Sequence, residues 1–223
     1  MTRPLLLGHR GARAFPEIPE NTIGSFELCL RHGCDGFELD VRRSADGQAM
    51  ICHDPKSASK LVAETPARML NLPTLEDVLE RFSSRAFLDI EIKAAGLEDR
   101  TAAALRVNPP LRGYVISSFL PEVLLTMHDR DAGVPLGFIC EDHALLERWR
   151  EMPVEWVIPR WDLTTKSLIT ELKNAGRKVM PWTVNNAKQM RRLAEMGVDG
   201  IISDHTDLLT HTLSVGSPGE RAK

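Results

Sequence analysis

Residues 36–43 read GFELDVRR, with Phe37, Leu39 and Val41 alternating with Glu38, Asp40 and Arg42. A period of two predicts a strand with one apolar and one charged face. FLDIEIK (87–93) repeats the pattern: Leu88, Ile90 and Ile92 share one face, and Asp89, Glu91 and Lys93 the other. Further apolar runs lie at LLLGH (5–9), YVISSF (114–119), PLGFIC (135–140), EWVIPR (155–160), KVMPWTV (178–184) and GIISD (200–204), and QAMICHD (48–54) adds a short strand after a SADG turn. Between most of these the apolar spacing is helical. Ile23, Phe26 and Leu30 share a face in a segment that ends on Gly33, and Thr74 caps a helix with Glu76 and Asp77 in its first turn. Segments 167–176 and 186–197 also stop at glycine.

Eight strand-like runs separated by helices in one chain predict an α/β fold, a (β/α)8 TIM barrel. A doubly wound open sheet fits less well, because no Gly-rich GxGxxG follows the first strand. The domain is expected to span 1–213, with a flexible tail over 214–223.

Composition narrows the function. The 223 residues are 43% hydrophobic, enough for one core, and the formal net charge of -3 argues against a nucleic-acid footprint. The opening apolar run is too short for a secretory leader, and no stretch reaches the roughly 20 apolar residues of a membrane span. Cys29, Cys34, Cys52 and Cys140 lack metal-site spacing and are expected to be buried thiols of a cytoplasmic protein. A stable membrane anchor is not expected, and the pattern sets no oligomeric state.

In a barrel, the charged faces of 36–43 and 87–93 turn inward, where an uncompensated carboxylate costs several kcal/mol. A cation resolves this. Glu38, Asp40 and Glu91 are hard oxygen ligands suited to Mg²⁺ or Ca²⁺ near strand C-termini. Arg10 and Lys93 add positive charge, so the site suits an anionic oxygen, phosphate above all. The competing account is a buried network in which Arg10, Arg42 and Lys93 balance Glu38, Asp40, Asp89 and Glu91. Of the seven histidines, only His9 and His53 end apolar runs and precede a charged residue. They suit an acid and a base on either side of a phosphorus centre, with a His₂-carboxylate transition-metal site as the rival.

The stretch from GHRG to HDP (8–55), with its HRG, PENT, E-x-D strand and HD, strongly resembles the N-terminal signature of the glycerophosphodiester phosphodiesterase family. LPTLEDVL, LDIEIK, SSF, PWTVN and GVDGIISDHTD extend the likeness over roughly 5–207. The resemblance implies a metal-dependent TIM-barrel hydrolase of glycerol and lipid metabolism, releasing sn-glycerol 3-phosphate and an alcohol from a small-molecule glycerophosphodiester. By motif, His9 and His53 match the acid/base histidines, Glu38, Asp40 and Glu91 the metal ligands, and Arg10 and Lys93 the phosphate-facing cations. Glu20 is expected in the first βα loop and Trp182 in the pocket wall, with Phe119 and Trp161 as further wall candidates. Asn21 reads either as a site residue or as the cap of the following helix. Segment 55–71 lacks the family's R-T-T run and inserted subdomain, so a trimmed insertion is expected there. The alternatives are a lysophospholipase D-like activity on lipid phosphodiesters, which an aromatic content of 5% disfavours, and a non-catalytic phosphate-ester-binding barrel.

Overall fold

A computed structural model of the chain describes residues 3–214. The expected flexible tail lies, from residue 215 on, outside the described residues. The elements run β1 (Leu5–Gly8), α1 (Ile23–Arg31), β2 (Gly36–Arg43), β3 (Ala49–Ile51), β4 (Lys56–Ser57), β5 (Lys60–Leu61), α2 (Leu75–Phe82), β6 (Phe87–Ile92) and α3 (Glu98–Val107). They continue β7 (Tyr114–Ser118), α4 (Pro121–Arg130), β8 (Leu136–Cys140), α5 (His143–Glu147), β9 (Trp156–Pro159), α6 (Lys166–Asn174), β10 (Lys178–Val179), α7 (Ala187–Glu195), β11 (Gly200–Ser203) and α8 (Thr206–Ser214).

Eight parallel strands follow the order β1, β2, β6, β7, β8, β9, β10, β11, and β11 pairs back onto β1 from Leu5↔Gly200 to Gly8↔Ser203. The fold is the expected (β/α)8 barrel. The run 178–184 is regular strand only over Lys178–Val179, because Pro181 has no N–H to donate. The chain nevertheless closes the ring: Asp199 N–H donates to Val179 O at 2.8 Å, Ile202 N–H to Pro181 O at 3.1 Å and Val184 N–H to Ile202 O at 2.9 Å.

Strand alternation sorts the core into two layers. Phe37, Leu39, Val41, Leu88, Ile90 and Ile92 face the helices in the main core. Phe26 stacks on Phe37 at 4.2 Å between centroids, and Phe82 meets both edge-on. Inside the ring, Leu7, Phe87, Val115, Ile139, Trp156, Ile158, Met180 and Ile202 form a separate apolar plug. Glu38 and Asp40 share the strand face opposite the main core, and Asp40 and Glu91 are register partners on the adjacent strands β2 and β6.

Segment 55–71 carries no subdomain. It forms the β4–β5 hairpin and two single 3₁₀ turns, and Val62 and Leu70 pack on Met50 and Cys52. All four cysteines are buried free thiols. No described helix is long and apolar enough to cross a membrane.

Candidate active site

The first βα loop builds one wall. Arg10 has φ 50° and Gly11 φ 82°, so the chain turns sharply after β1. At Gly11 a Cβ would overlap Ser25, which only glycine avoids. The turn aims the Arg10 N–H at Glu38 Oε2, 2.8 Å away, and the Arg10 carbonyl accepts from Asn21 N–H at 3.0 Å. The Arg10 side chain reaches Glu20 at 2.7 Å and Asp40 at 3.3 Å. Glu20 also pairs with Arg13 at 2.7 Å, so it braces Arg10 rather than lining the cavity.

Asn21 does not cap α1. Thr22 does, its hydroxyl accepting from Ser25 N–H at 3.2 Å. Asn21, at φ 56°, instead donates from Nδ2 to Asp40 Oδ2 at 2.7 Å and accepts from Asp40 N–H at 3.2 Å. Asparagine tolerates the left-handed region, which frees its amide to clamp a buried carboxylate.

Glu38, Asp40 and Glu91 each present an oxygen within 4.8 Å of the others, and all three are buried. Lys93 Nζ lies 2.7 Å from Glu91 Oε1 and 3.3 Å from Asp40 Oδ1. Arg42, expected to help balance these acids, turns away and donates to the His53 carbonyl at 2.7 Å. Four inward carboxylates, Glu38, Asp40, Asp89 and Glu91, therefore face two cations, Arg10 and Lys93. Glu38 Oε1 and Asp89 Oδ2 are buried without a hydrogen-bond partner.

The ionisation equilibria reflect that imbalance. Burial, then repulsion from Asp40, Glu91 and Asp89, pushes the Glu38 carboxyl well above its usual range. Burial lifts Asp89 to about 7 against the Ser117 hydrogen bond, and burial and Asp40 lift Glu91 to about 8. Only Asp40 is lowered: burial opposes its charge, but Lys93, Arg10 and Asn21 outweigh it. Protons are thus held where a divalent cation would relieve the same repulsion, and the three-oxygen donor set fits a hard ion.

His9, 8% exposed, sits at the end of β1 with Nδ1 2.7 Å from Asp204 Oδ1 and Nε2 3.9 Å from Glu38 Oε2. Asp204 follows β11 and also accepts from Asn185 Nδ2 at 2.6 Å. His53 follows the β3 segment, with Nδ1 2.8 Å from Asp54 Oδ1. Burial, against the pull of Asp40 and Asp54, lowers its pKa below the usual imidazole value. Both imidazoles line a cavity of about 320 Å³ with Arg10, Glu38, Glu91 and Lys93. Its other wall includes Phe119, Ile139, Glu141, Ile158 and Trp182. Trp161 points elsewhere, 37% exposed and outside the cavity lining. Asp204 and Glu141 carry no assigned role in the sequence reading. The one available signal was a charged residue directly after a strand, as at Asp204 in GIISD.

An eight-stranded parallel barrel with this cleft at its strand C-termini defines a TIM-barrel enzyme. A family model for the glycerophosphoryl diester phosphodiesterase family matches residues 9–65 and 56–208, and the chain belongs to that family. The two matched stretches meet inside the short segment 55–71. A glycerophosphodiester phosphodiesterase of Caldanaerobacter subterraneus subsp. tengcongensis is 27% identical, covering 96% of this chain and 99% of its own. One of Bacillus subtilis is 28% identical over 92% of this chain and 85% of its own. The solved Oleispira antarctica phosphodiesterase in complex with the product sn-glycerol-3-phosphate is 23% identical and superposes with a TM-score of 0.84, covering 95% of this chain and 97% of that one.

Proposed function

We propose that the chain is a metal-dependent phosphodiesterase that hydrolyses glycerophosphodiesters to sn-glycerol 3-phosphate and an alcohol. The observation that carries this reading is the convergence, in one cleft, of a buried three-carboxylate cluster, two cations and two imidazoles. The names of the curated relatives and the product held by the Oleispira neighbour support the substrate class.

Glu38, Asp40 and Glu91 would hold a divalent cation, Mg²⁺ or Ca²⁺, which supplies Lewis-acid neutralisation of the non-bridging phosphate oxygens. Arg10 and Lys93 bind the same anion and fix its orientation. With each histidine tied through Nδ1, to Asp204 or Asp54, the opposite ring nitrogen is free for the substrate. One imidazole takes the proton of the attacking oxygen as its bond to phosphorus forms. The other protonates the departing alkoxide as its P–O bond breaks. Asn21 keeps Asp40 in its ionised, ligand-ready orientation. Four buried free thiols suit a reducing, cytoplasmic setting.

A panel of glycerophosphodiesters assayed with and without EDTA tests the activity. His9→Ala and His53→Ala should each lower turnover by about 10² or more, and Glu38→Ala should abolish activation by Mg²⁺ or Ca²⁺. Near-wild-type rates in both histidine variants, or undiminished metal activation in Glu38→Ala, would overturn the assignment.

A further inference from the structure

The end of α1 brings two thiols together. Gly33, at φ 90°, turns the chain out of the helix, and its N–H donates to Leu30 O at 3.0 Å while Cys34 N–H reaches back to Cys29 O at 3.4 Å. These two bonds make a glycine-ended helix stop, in which the residue after the glycine packs back onto the last turn. Here both packing partners are cysteines. Cys29 is fully buried, and burial, then the neighbouring Cys34 thiol, raises its pKa well above the usual thiol value. Cys34 is 8% exposed and follows the exposed Gly33, so its sulfur is the one that solvent reaches first.

The pair borders the strands that carry His9 and Asp204. The Cys29 thiol donates to Gly36 O at 3.2 Å, and a Cβ at Gly8 would lie 2.5 Å from its sulfur. Gly8 precedes His9 and pairs in register with Ser203, which precedes Asp204. The Cys34 thiol donates to Thr206 O at 3.9 Å, and His32 Nδ1 lies 2.7 Å from the Thr206 hydroxyl. A disulfide needs α-carbons about 4.4–6.8 Å apart and side chains turned toward each other, an approach that the helix stop supplies. Forming it removes both thiol hydrogen bonds, at Gly36 and at Thr206.

We propose that Cys29 and Cys34 are a reversible oxidation site, whose disulfide slows the enzyme by displacing the ends of β1 and β11. With hydrogen peroxide as oxidant, the Cys34 thiolate attacks one peroxide oxygen, the O–O bond breaks, and a sulfenic acid and water form. The Cys29 sulfur then attacks that sulfur and expels hydroxide, which leaves as water with the Cys29 proton. The two thiols lose two electrons and two protons, and the peroxide gains them. A dithiol reductant reverses the change. The pairing stands by itself, and its effect on turnover rests on the proposed hydrolase activity.

Trypsin cleaves after Arg31, between the two cysteines, so their fragments stay joined only through a disulfide. Peroxide-treated protein should give one joined species by mass spectrometry without reductant and two fragments with it. Turnover of glycerophosphodiesters should fall about tenfold or more as the bridge forms, since small displacements of acid/base groups are costly, and should return with dithiothreitol. Cys34→Ala should form no bridge and keep its turnover after the same treatment. Cys52→Ala should respond as the wild type does, which separates the pair from the thiol beside His53. Unjoined fragments, or a bridge that leaves turnover unchanged, would overturn the proposal. Joined fragments from a protein whose reduced form hydrolyses no glycerophosphodiester would sink the activity and leave the oxidation site standing.

Discussion

Asp204 decides which nitrogen of His9 faces the cleft. Burial works against a charged Asp204, but the hydrogen bond and charge of His9, the Asn185 amide and the Arg13 cation outweigh it. They hold the carboxyl well below the usual carboxylate range. An ionised acceptor on Nδ1 keeps the proton there and leaves Nε2 toward the cleft. Asp204→Asn removes that constraint without changing the side chain's volume. Steady-state kinetics should show kcat reduced about 10²-fold with KM nearly unchanged. A loss expressed only in KM would make Asp204 a substrate contact instead. The left-handed backbone at Arg10 and Asn21 works at the same scale, since each turns a polar group onto Glu38 or Asp40.

At the scale of elements, α1 and α2 are joined by charge at the surface and by aromatic packing beneath it. Glu27 of α1 accepts from Arg85 at 2.9 Å through both oxygens and from Arg81 at 2.9 Å. The Arg85 hydrogen bond, opposed by burial and reinforced by Arg81, lowers the Glu27 pKa to about 2. A carboxyl depressed on folding stabilises the protein fully above its unfolded value and loses that contribution as pH falls through the folded value. Glu27→Gln should therefore cost about 1 kcal/mol at pH 7, because screening at the protein surface limits the pair. Urea unfolding of both proteins should show the gap narrowing as pH falls from about 4.5 toward about 2. A gap independent of pH would assign the loss to packing.

The whole molecule carries the acid cluster as a standing internal tension. Four inward carboxylates are held together by the closed ring, which offers them two cations at the floor of the cleft. A ligand that binds only the folded ring should raise its stability by mass action. For EDTA-treated protein, Mg²⁺ or Ca²⁺ at ~100 times its Kd should raise Tm by about 5–10 °C in a calorimetric scan. Glu38→Gln should leave the metal-free Tm nearly unchanged, because burial and its acidic neighbours already favour the uncharged Glu38, and should shrink the metal-induced rise. An identical rise in Glu38→Gln would place the ion elsewhere.

Local periodicity was enough to read much of this protein. The two-residue alternation of GFELDVRR and FLDIEIK dictates that Glu38 and Asp40 share one face and Glu91 and Lys93 another, whatever lies around them. Thr74 and the terminal glycines mark helix ends through backbone chemistry that is equally local. The rest depended on closure. His9 and Asp204 are 195 residues apart in sequence and meet only because β11 pairs with β1. Asn21 looked like a helix cap because cap propensity is local, and its bond to Asp40 is not. Arg42 shares the acids' strand face yet spends its guanidinium on the His53 carbonyl, so charge counting along the chain overstated the balancing cations. The partners of Asp204 were hidden for the same reason: what a carboxylate pairs with is a property of the neighbours that folding brings to it, and a linear pattern does not contain them.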